Sequence, residues 1–149
     1  MSHTPASPSA TSSFTPALLP TGFTSAVAEV NGVTIHYVMG GTGDPLVLVH
    51  GWPQTWYEWH GIMPPLAERF TVIAVDLRGA GDSSKPAPSA GYDARTMAED
   101  IHQLVQQLGF NSIRILGHDI GRTYAKNLSN SYSSVFSASS VVRFSITCA

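Results

Sequence analysis

The most constraining feature of the sequence is an apolar segment, 113–116, that runs directly into Gly117-His-Asp-Ile-Gly121. The segment has the composition of a buried strand, and a glycine two residues before and after Asp119 leaves room for a sharp strand-to-helix turn. Asp119 is ionised at neutral pH and can attack carbon without a separate base, so it is a candidate nucleophile that would form an ester. This segment alone leaves open a plain turn in which Asp119 caps the next helix.

Apolar runs upstream of this turn predict an α/β fold. Two β-rich runs, 24–30 and 33–38, are separated by Asn31-Gly32, which is the strongest local signal for a β-hairpin. Continuous apolar runs at 46–50 and 70–75 fit strands that are buried on both faces of a parallel sheet. We therefore expect an α/β domain whose mostly parallel sheet follows an N-terminal antiparallel hairpin.

Two helices are predicted between these strands. The first begins near Thr55 and runs through Ala67, with Pro64-Pro65 interrupting it or setting a second start. The second begins with a capping box at Thr96–Glu99 and ends at Gly109. Its core-facing stripe consists of five apolar residues at helical spacing: Met97, Ile101, Leu104, Val105 and Leu108.

Composition excludes several classes of partner. The net charge is -2 and the eight Lys and Arg are scattered singly, which predicts no binding to nucleic acid or to a membrane surface. No apolar run is long enough to cross a membrane. The single cysteine, Cys148, permits no internal disulfide and favours a cytoplasmic location. Because His36, His60 and His102 follow no ligand spacing, we expect neither a metal nor another cofactor.

The composition also divides the chain into three parts. Residues 1–22 are rich in Ser, Thr, Pro and Ala and are predicted to be a disordered leader. Residues 23–128 hold the predicted strands and helices. Residues 129–149 are a divergent Ser-rich tail, which fits either a degenerate next strand or the product of a frameshift.

Three motifs together resemble the α/β-hydrolase superfamily, and within it the epoxide hydrolase and haloalkane dehalogenase branch. His50-Gly51-Trp52-Pro53 is similar to the oxyanion loop of epoxide hydrolases, residues 76–84 to the loop after the next strand, and residues 117–121 to the aspartate elbow. The resemblance covers residues 24–121 and implies an α/β fold: a truncated α/β-hydrolase core, the N-terminal part of that domain, without a cap domain.

The resemblance implies a two-step reaction on a small apolar epoxide. Asp119 attacks an epoxide carbon, and the backbone N–H groups of Trp52 and Ile120 hold the developing oxyanion. In the family, hydroxyl groups of a cap domain protonate the epoxide oxygen, and a His–acid pair then activates water. The remaining motif residues, expected to shape the loop and the elbow, are His50, Gly51, Pro53, Gly117, His118 and Gly121.

Further expectations concern single side chains. His50 and His118 are expected to be scaffold or pocket-wall residues, and Asp76 and Arg78 to form a structural pair within their loop. Trp52 is expected to line the pocket, whereas Trp56 and Trp59 pack in the interior. The family usually has a small residue where this chain has Arg122, which would have to swing out or push the helix away.

Two alternatives stay open. A haloalkane dehalogenase-type hydrolase is the nearest competitor, although such enzymes often carry Asn at the position of Trp52 and Trp at that of Ile120, and a fluoroacetate-type enzyme carries Arg there. The other alternative is a non-catalytic truncated paralogue that associates through its open sheet edge. No His, Asp or Glu follows Asp119 in the 149 residues. We therefore expect this chain to be inactive in turnover, since an ester on Asp119 would not be cleared.

Overall fold

The computed structural model describes residues 18–132, with side chains described through residue 128. A short 3-10 helix, Trp56–Trp59, follows the third strand, and another, Pro88–Ala90, precedes the longest helix. In chain order the strands and helices are β1 (Phe23–Val30), β2 (Val33–Gly40), β3 (Asp44–Val49), α1 (Met63–Ala67), β4 (Phe70–Val75), α2 (Ala94–Gln107), β5 (Arg114–Gly117) and α3 (Ile120–Tyr132).

The five strands form one mixed sheet in the order β1-β2-β4-β3-β5. β1 and β2 pair in antiparallel register around a tight turn in which Asn31 has a φ of 49° and Gly32 a φ of 74°. Positive φ at both turn positions is typical of a two-residue hairpin, so the predicted hairpin is confirmed. β2 is antiparallel to β4, whereas β4, β3 and β5 are mutually parallel. The predicted α/β fold with an N-terminal hairpin is therefore confirmed.

Apolar side chains cover both faces of this sheet. Val47 and Val49 of β3 point into a core shared with α2 and α3. Leu46 and Leu48 point to the opposite face, where they pack with the 3-10 helix and α1. This alternation explains why β3 is apolar at successive positions rather than at every second one. The predicted apolar stripe of α2 faces the first core, with Leu104 and Val105 fully buried.

Of the two predicted helix starts, one is confirmed and one is wrong. After Thr55, which caps the 3-10 helix, a second start at Pro64-Pro65 is present: α1 begins at Met63, with Pro64 in its first turn, and ends at Ala67 as expected. The second helix starts at Ala94 rather than after a capping box at Thr96. Asp93 is its N-cap and accepts hydrogen bonds from the N–H groups of Arg95 (3.1 Å) and Thr96 (3.0 Å). The Thr96 hydroxyl also donates to the Asp93 carboxylate, so it supports the cap.

Of the predicted leader and tail, the structure describes only the residues next to the central part. Residues 18–22 of the leader are described, and there Leu19 packs against the second core. Residues 129–132 of the tail continue α3. The rest of the leader, 1–17, and the segment 133–149, with its predicted degenerate strand and Cys148, lie outside the described residues. Within residues 18–132, no helix is long and apolar enough to cross a membrane.

Candidate active site

Three loops leave the carboxyl ends of neighbouring parallel strands. His50 follows β3, Asp76 follows β4, and the elbow at 117–121 follows β5. Because β4, β3 and β5 are adjacent and parallel, these loops meet at one end of the sheet. The sequence motifs that were recognised separately are therefore brought together by the strand order.

The sharp turn expected after β5 is present. Asp119 lies at its centre with a φ of 51°, a strained value for a residue with a side chain. The N–H of Arg122 bonds to the Asp119 carbonyl at 3.1 Å, which starts α3 immediately. A Cβ on Gly117 would lie 2.6 Å from the Gly121 carbonyl oxygen, and one on Gly121 would lie 2.3 Å from that of Val49. Both glycines are therefore required for β5, α3 and β3 to approach this closely.

Arg122 does not disturb the elbow. Its side chain is exposed to solvent, while its backbone N lies 2.8 Å from the place where a Gly117 Cβ would be. Of the two outcomes expected from the sequence, the arginine swings out, so the helix stays against the strand.

The Asp119 carboxylate faces the loop after β3. The backbone N of Trp52 lies 3.2 Å from Asp119 Oδ2 and donates to it. This bond, a second one from the Ile120 N–H and the nearby His118 ring together lower the pKa of Asp119 below its ordinary value of 3.8. The exposed carboxylate is thus ionised at neutral pH, with the Trp52 N–H at hydrogen-bonding distance.

His50 fixes the shape of the loop that carries Trp52. The Leu77 N–H donates to His50 Nε2 at 3.0 Å, so the proton is on Nδ1, which donates to the Gly51 carbonyl at 2.8 Å. With both ring nitrogens occupied and the residue only 2% exposed, His50 is placed to hold the scaffold and not to transfer protons. Gly51 has no space for a side chain, because its Cβ would lie 2.7 Å from Asp119 Cβ.

His118 is paired with an acid that the motifs do not include. Its Nδ1 contacts Glu58 Oε1, a contact that is an ion pair when the ring is protonated, and Glu58 Oε2 accepts from the Gly51 N–H at 3.1 Å. The only sequence signal for Glu58 is a charged residue between Trp56 and Trp59. Both tryptophans are buried as expected, at 1% and 8% exposure, but that pattern cannot tell where the intervening carboxylate points.

The expected pair between Asp76 and Arg78 is wrong, because each has another partner. Asp76 is 1% exposed and its Oδ2 accepts from His36 Nδ1 at 2.7 Å. Its carboxylate also accepts from the backbone N–H groups of Trp56 (2.8 Å) and Asp82 (3.0 Å). A buried carboxylate with three donors holds the loop after β4 against β2 and the 3-10 helix. His36, which the sequence left without a partner, belongs to this network.

Arg78 forms a two-pronged ion pair with Asp100 of α2. Its Nε and Nη2 atoms each lie 2.6 Å from one Asp100 oxygen, and Nη1 donates to the Gly91 carbonyl at 2.9 Å. The hydrogen bond to Asp100 raises the pKa of Arg78, more than burial lowers it. Asn31 of the hairpin donates to the same carboxylate at 2.8 Å, so this ion pair joins α2 to β1–β2 and to the loop after β4.

A cavity of about 380 Å³ lies at the same end of the sheet, between the loop after β3, the loop after β4 and the start of α3. Trp52 and Ile120 line it, as expected for Trp52, although the indole is 70% exposed. Tyr124, one turn after Ile120 on α3, also lines it, and burial together with the charge of Asp119 raises the pKa of its hydroxyl. Tyr124 was missed because it belongs to no motif. Within residues 18–132, no three His, Cys, Asp or Glu side chains gather into a metal site.

The chain is similar to known proteins in both sequence and fold. A family model described as the alpha/beta hydrolase fold matches residues 44–135. A soluble epoxide hydrolase from Corynebacterium is 54% identical over 105 residues, which are 70% of this chain and 36% of the relative. A fluoroacetate dehalogenase from Burkholderia is 46% identical over 103 residues, 67% of this chain and 34% of the relative.

A solved structure gives the same result for the fold. The epoxide hydrolase CorEH without ligand superposes with a TM-score of 0.73 and 49% identity, over 76% of this chain and 40% of the other. The chain spans about a third of the length of these curated relatives. The resemblance to the epoxide hydrolase branch is thus confirmed for this N-terminal part. On its sequence match and its sheet order, the chain belongs to the α/β-hydrolase fold family.

Proposed function

We propose that this chain carries the nucleophile and oxyanion hole of an epoxide hydrolase, with Asp119 as the nucleophile. The observation that carries the proposal is the Asp119 carboxylate, held ionised at the elbow with Oδ2 3.2 Å from the Trp52 backbone N. A carboxylate that only capped a helix would need no N–H group from the loop after β3. The similarity to the Corynebacterium soluble epoxide hydrolase supports the same assignment.

The first step forms an ester. One Asp119 oxygen bonds to an epoxide carbon, the C–O bond of that carbon breaks, and its electron pair passes to the epoxide oxygen, which takes up a proton from solvent water. The Asp119 oxygen held by the N–H groups becomes the carbonyl oxygen of the ester. Because the pKa of Asp119 is lowered, the attacking form is fully populated at neutral pH and needs no base.

The second step hydrolyses that ester and uses the same N–H groups. Water attacks the ester carbonyl carbon, negative charge develops on the carbonyl oxygen, and Trp52 and Ile120 donate to that oxygen. Expulsion of the alkoxide, which is then protonated, gives a diol and restores Asp119. Water needs a base for this step, and no His, Asp or Glu follows Asp119 in the sequence. A polypeptide of these 149 residues is therefore expected to stop at the ester.

The cavity favours a small apolar substrate. Its volume of about 380 Å³ and walls that include Leu77, Met97 and Ile120 suit a compact hydrocarbon group next to the reacting epoxide. Neither the scattered basic residues nor the described surface supports nucleic acid or a membrane as a partner.

A dehalogenase is the second candidate, and two observations favour it. The Burkholderia fluoroacetate dehalogenase is 46% identical in the matched region. The Trp52 indole also lines the cavity, where its N–H group can serve as a donor to a halide. Against this, Ile120 offers no side-chain donor beside the nucleophile. An epoxide is preferred because its oxygen leaving group stays bonded to the product and needs no halide site.

Intact-mass analysis after incubation with styrene oxide tests the proposal. We expect the mass to increase by one epoxide per chain, without release of diol above the rate of uncatalysed hydrolysis. Asp119→Asn should stay unmodified. The matched control is Asp44→Asn, which removes an exposed carboxylate at the opposite end of β3 and should react like the wild type. Modification of Asp119→Asn at the wild-type rate would refute the assignment. Ester formation with a chloroalkane but not with the epoxide would support the dehalogenase instead.

A further inference from the structure

Glu58 connects the two segments that form the proposed active site. It lies on the 3-10 helix Trp56–Trp59, which follows the loop after β3 and is about sixty residues from the elbow in sequence. One carboxylate oxygen contacts His118 Nδ1, the residue before Asp119. The other accepts from the N–H of Gly51, the residue before Trp52, at 3.1 Å. Each contact is thus one residue away from a partner in the Trp52–Asp119 hydrogen bond.

We propose that Glu58 is a positioning residue that holds the Trp52 N–H against the Asp119 carboxylate by joining the oxyanion loop to the elbow. A role for Glu58 in catalysis rests on the proposed function, whereas its role in holding the Trp52 N–H against Asp119 can be tested without any reaction. Glu58 does not touch the reacting atoms itself, because its two oxygens are used by His118 and Gly51.

The 3-10 helix that carries Glu58 is firmly anchored in the fold. Trp56 is 1% exposed in the second core, and its backbone N–H donates to the buried Asp76 carboxylate at 2.8 Å. The Thr55 side chain caps the same helix by accepting from the Tyr57 N–H. A carboxylate on so short and well-anchored an element has few alternative positions, which makes it suited to fixing two loops. The Glu58 side chain is 17% exposed and that of His118 34%, so the pair is only partly screened by water.

The direction in which the pKa of Asp119 changes when Glu58 is removed distinguishes a positioning role from a purely electrostatic effect of its charge. Removal of a carboxylate near Asp119 removes a like charge, which by itself would lower the pKa of Asp119 further. If Glu58 positions the Trp52 N–H and His118, its removal weakens two of the three influences that lower that pKa, and the pKa rises towards 3.8. Tyr124 also faces Asp119 from α3, but it is unchanged in the comparison.

The test uses the full chain with Glu58→Ala and Glu58→Gln, and it measures the pKa of Asp119 by carboxyl ¹³C NMR. Gln keeps an oxygen for the Gly51 N–H but loses the charge that pairs with His118. It also keeps the size of Glu, so it remains informative if the Ala variant folds poorly. Glu68→Gln is the matched control, since Glu68 is exposed at the end of α1 and its loss removes the same charge.

We expect the pKa of Asp119 to rise in both Glu58 variants, more in Ala than in Gln, and to stay unchanged in Glu68→Gln. Ester formation with styrene oxide should slow about tenfold in Glu58→Ala, the loss expected for one charge-assisted hydrogen bond. A pKa that is unchanged or lower in the Glu58 variants would overturn the inference. Absence of ester in the wild type would instead refute the proposed function, and the pKa comparison would still decide the role of Glu58.

Discussion

Replacement of Gly121 by alanine tests how closely the elbow is packed. The new Cβ would lie 2.3 Å from the Val49 carbonyl oxygen and 2.6 Å from that of His50. Real Cβ atoms essentially never come closer than 3.0 Å to such atoms, so α3 or the end of β3 must move by about 0.7 Å (3.0 minus 2.3). Both obstructing atoms are backbone, and no rotamer change can relieve the clash. We expect a cost of about 3 kcal/mol, the upper end of the range for overpacking.

Thermal and urea unfolding followed by circular dichroism measure this cost. For a domain of this size, about 3 kcal/mol lowers the melting temperature by roughly 12 °C. Gly61→Ala is the matched control, because its Cβ would meet nothing within 4 Å and the change should be neutral or slightly stabilising. The movement should also take Asp119 away from the Trp52 N–H, so ester formation should fall. Equal stability of the Gly121 and Gly61 variants would refute the proposed packing of the elbow.

Three further predictions follow from the described contacts. Because hydrogen bonds from Trp52 and Ile120 lower the pKa of Asp119 below 3.8, the carboxylate loses its charge only as the pH falls through that lower value. The rate of ester formation at pH 3.8 should therefore exceed half its neutral value; a smaller rate in a pH–rate profile would contradict this. Asp100→Asn leaves the buried Arg78 guanidinium without its charge partner and should lower the unfolding free energy by about 3 kcal/mol in urea titrations; a change below 1 kcal/mol would count against it. Since β5 pairs only with β3 among residues 18–132, its other edge should promote self-association, which sedimentation velocity would disprove by finding a monomer at all concentrations.

The sequence was sufficient for the features that depend on local patterns. The hairpin followed from Asn31-Gly32, because a two-residue turn needs positive φ at both positions. The buried strands followed from their continuous apolar composition, and the elbow from two glycines that flank Asp119. Parallel strands then bring their carboxyl ends together, so the meeting of the Trp52 and Asp119 loops was a consequence of the fold class.

Long-range polar partners could not be predicted in this way. Asp76 and Arg78 are two residues apart and were expected to pair, but the chain turns between them and points them to different elements. Arg78 reaches Asp100 of α2, and Asp76 reaches His36 of β2. Which of several acids lies opposite a given base depends on which strands and helices become neighbours, and the apolar period of each single element does not determine that order.

The start of α2 was predicted wrongly for a related reason. Thr96 and Glu99 have the spacing of a capping box, yet the N-cap is Asp93, three residues earlier, and the helix begins at Ala94. Asp93 is an equally good N-cap by residue type, and local rules do not rank two candidates separated by less than one turn. Glu58 was overlooked because it lies between two core tryptophans and its role depends on the elbow, sixty residues later in the chain.

The central claim is that Asp119 is the nucleophile and that main-chain N–H groups hold its other oxygen. A crystal structure of the protein after reaction with styrene oxide measures this directly. We expect an ester on Asp119 whose carbonyl oxygen lies within hydrogen-bonding distance of both the Trp52 and Ile120 backbone nitrogens. An ester on a different residue, or one on Asp119 with its carbonyl oxygen turned away from those nitrogens, would contradict the mechanism.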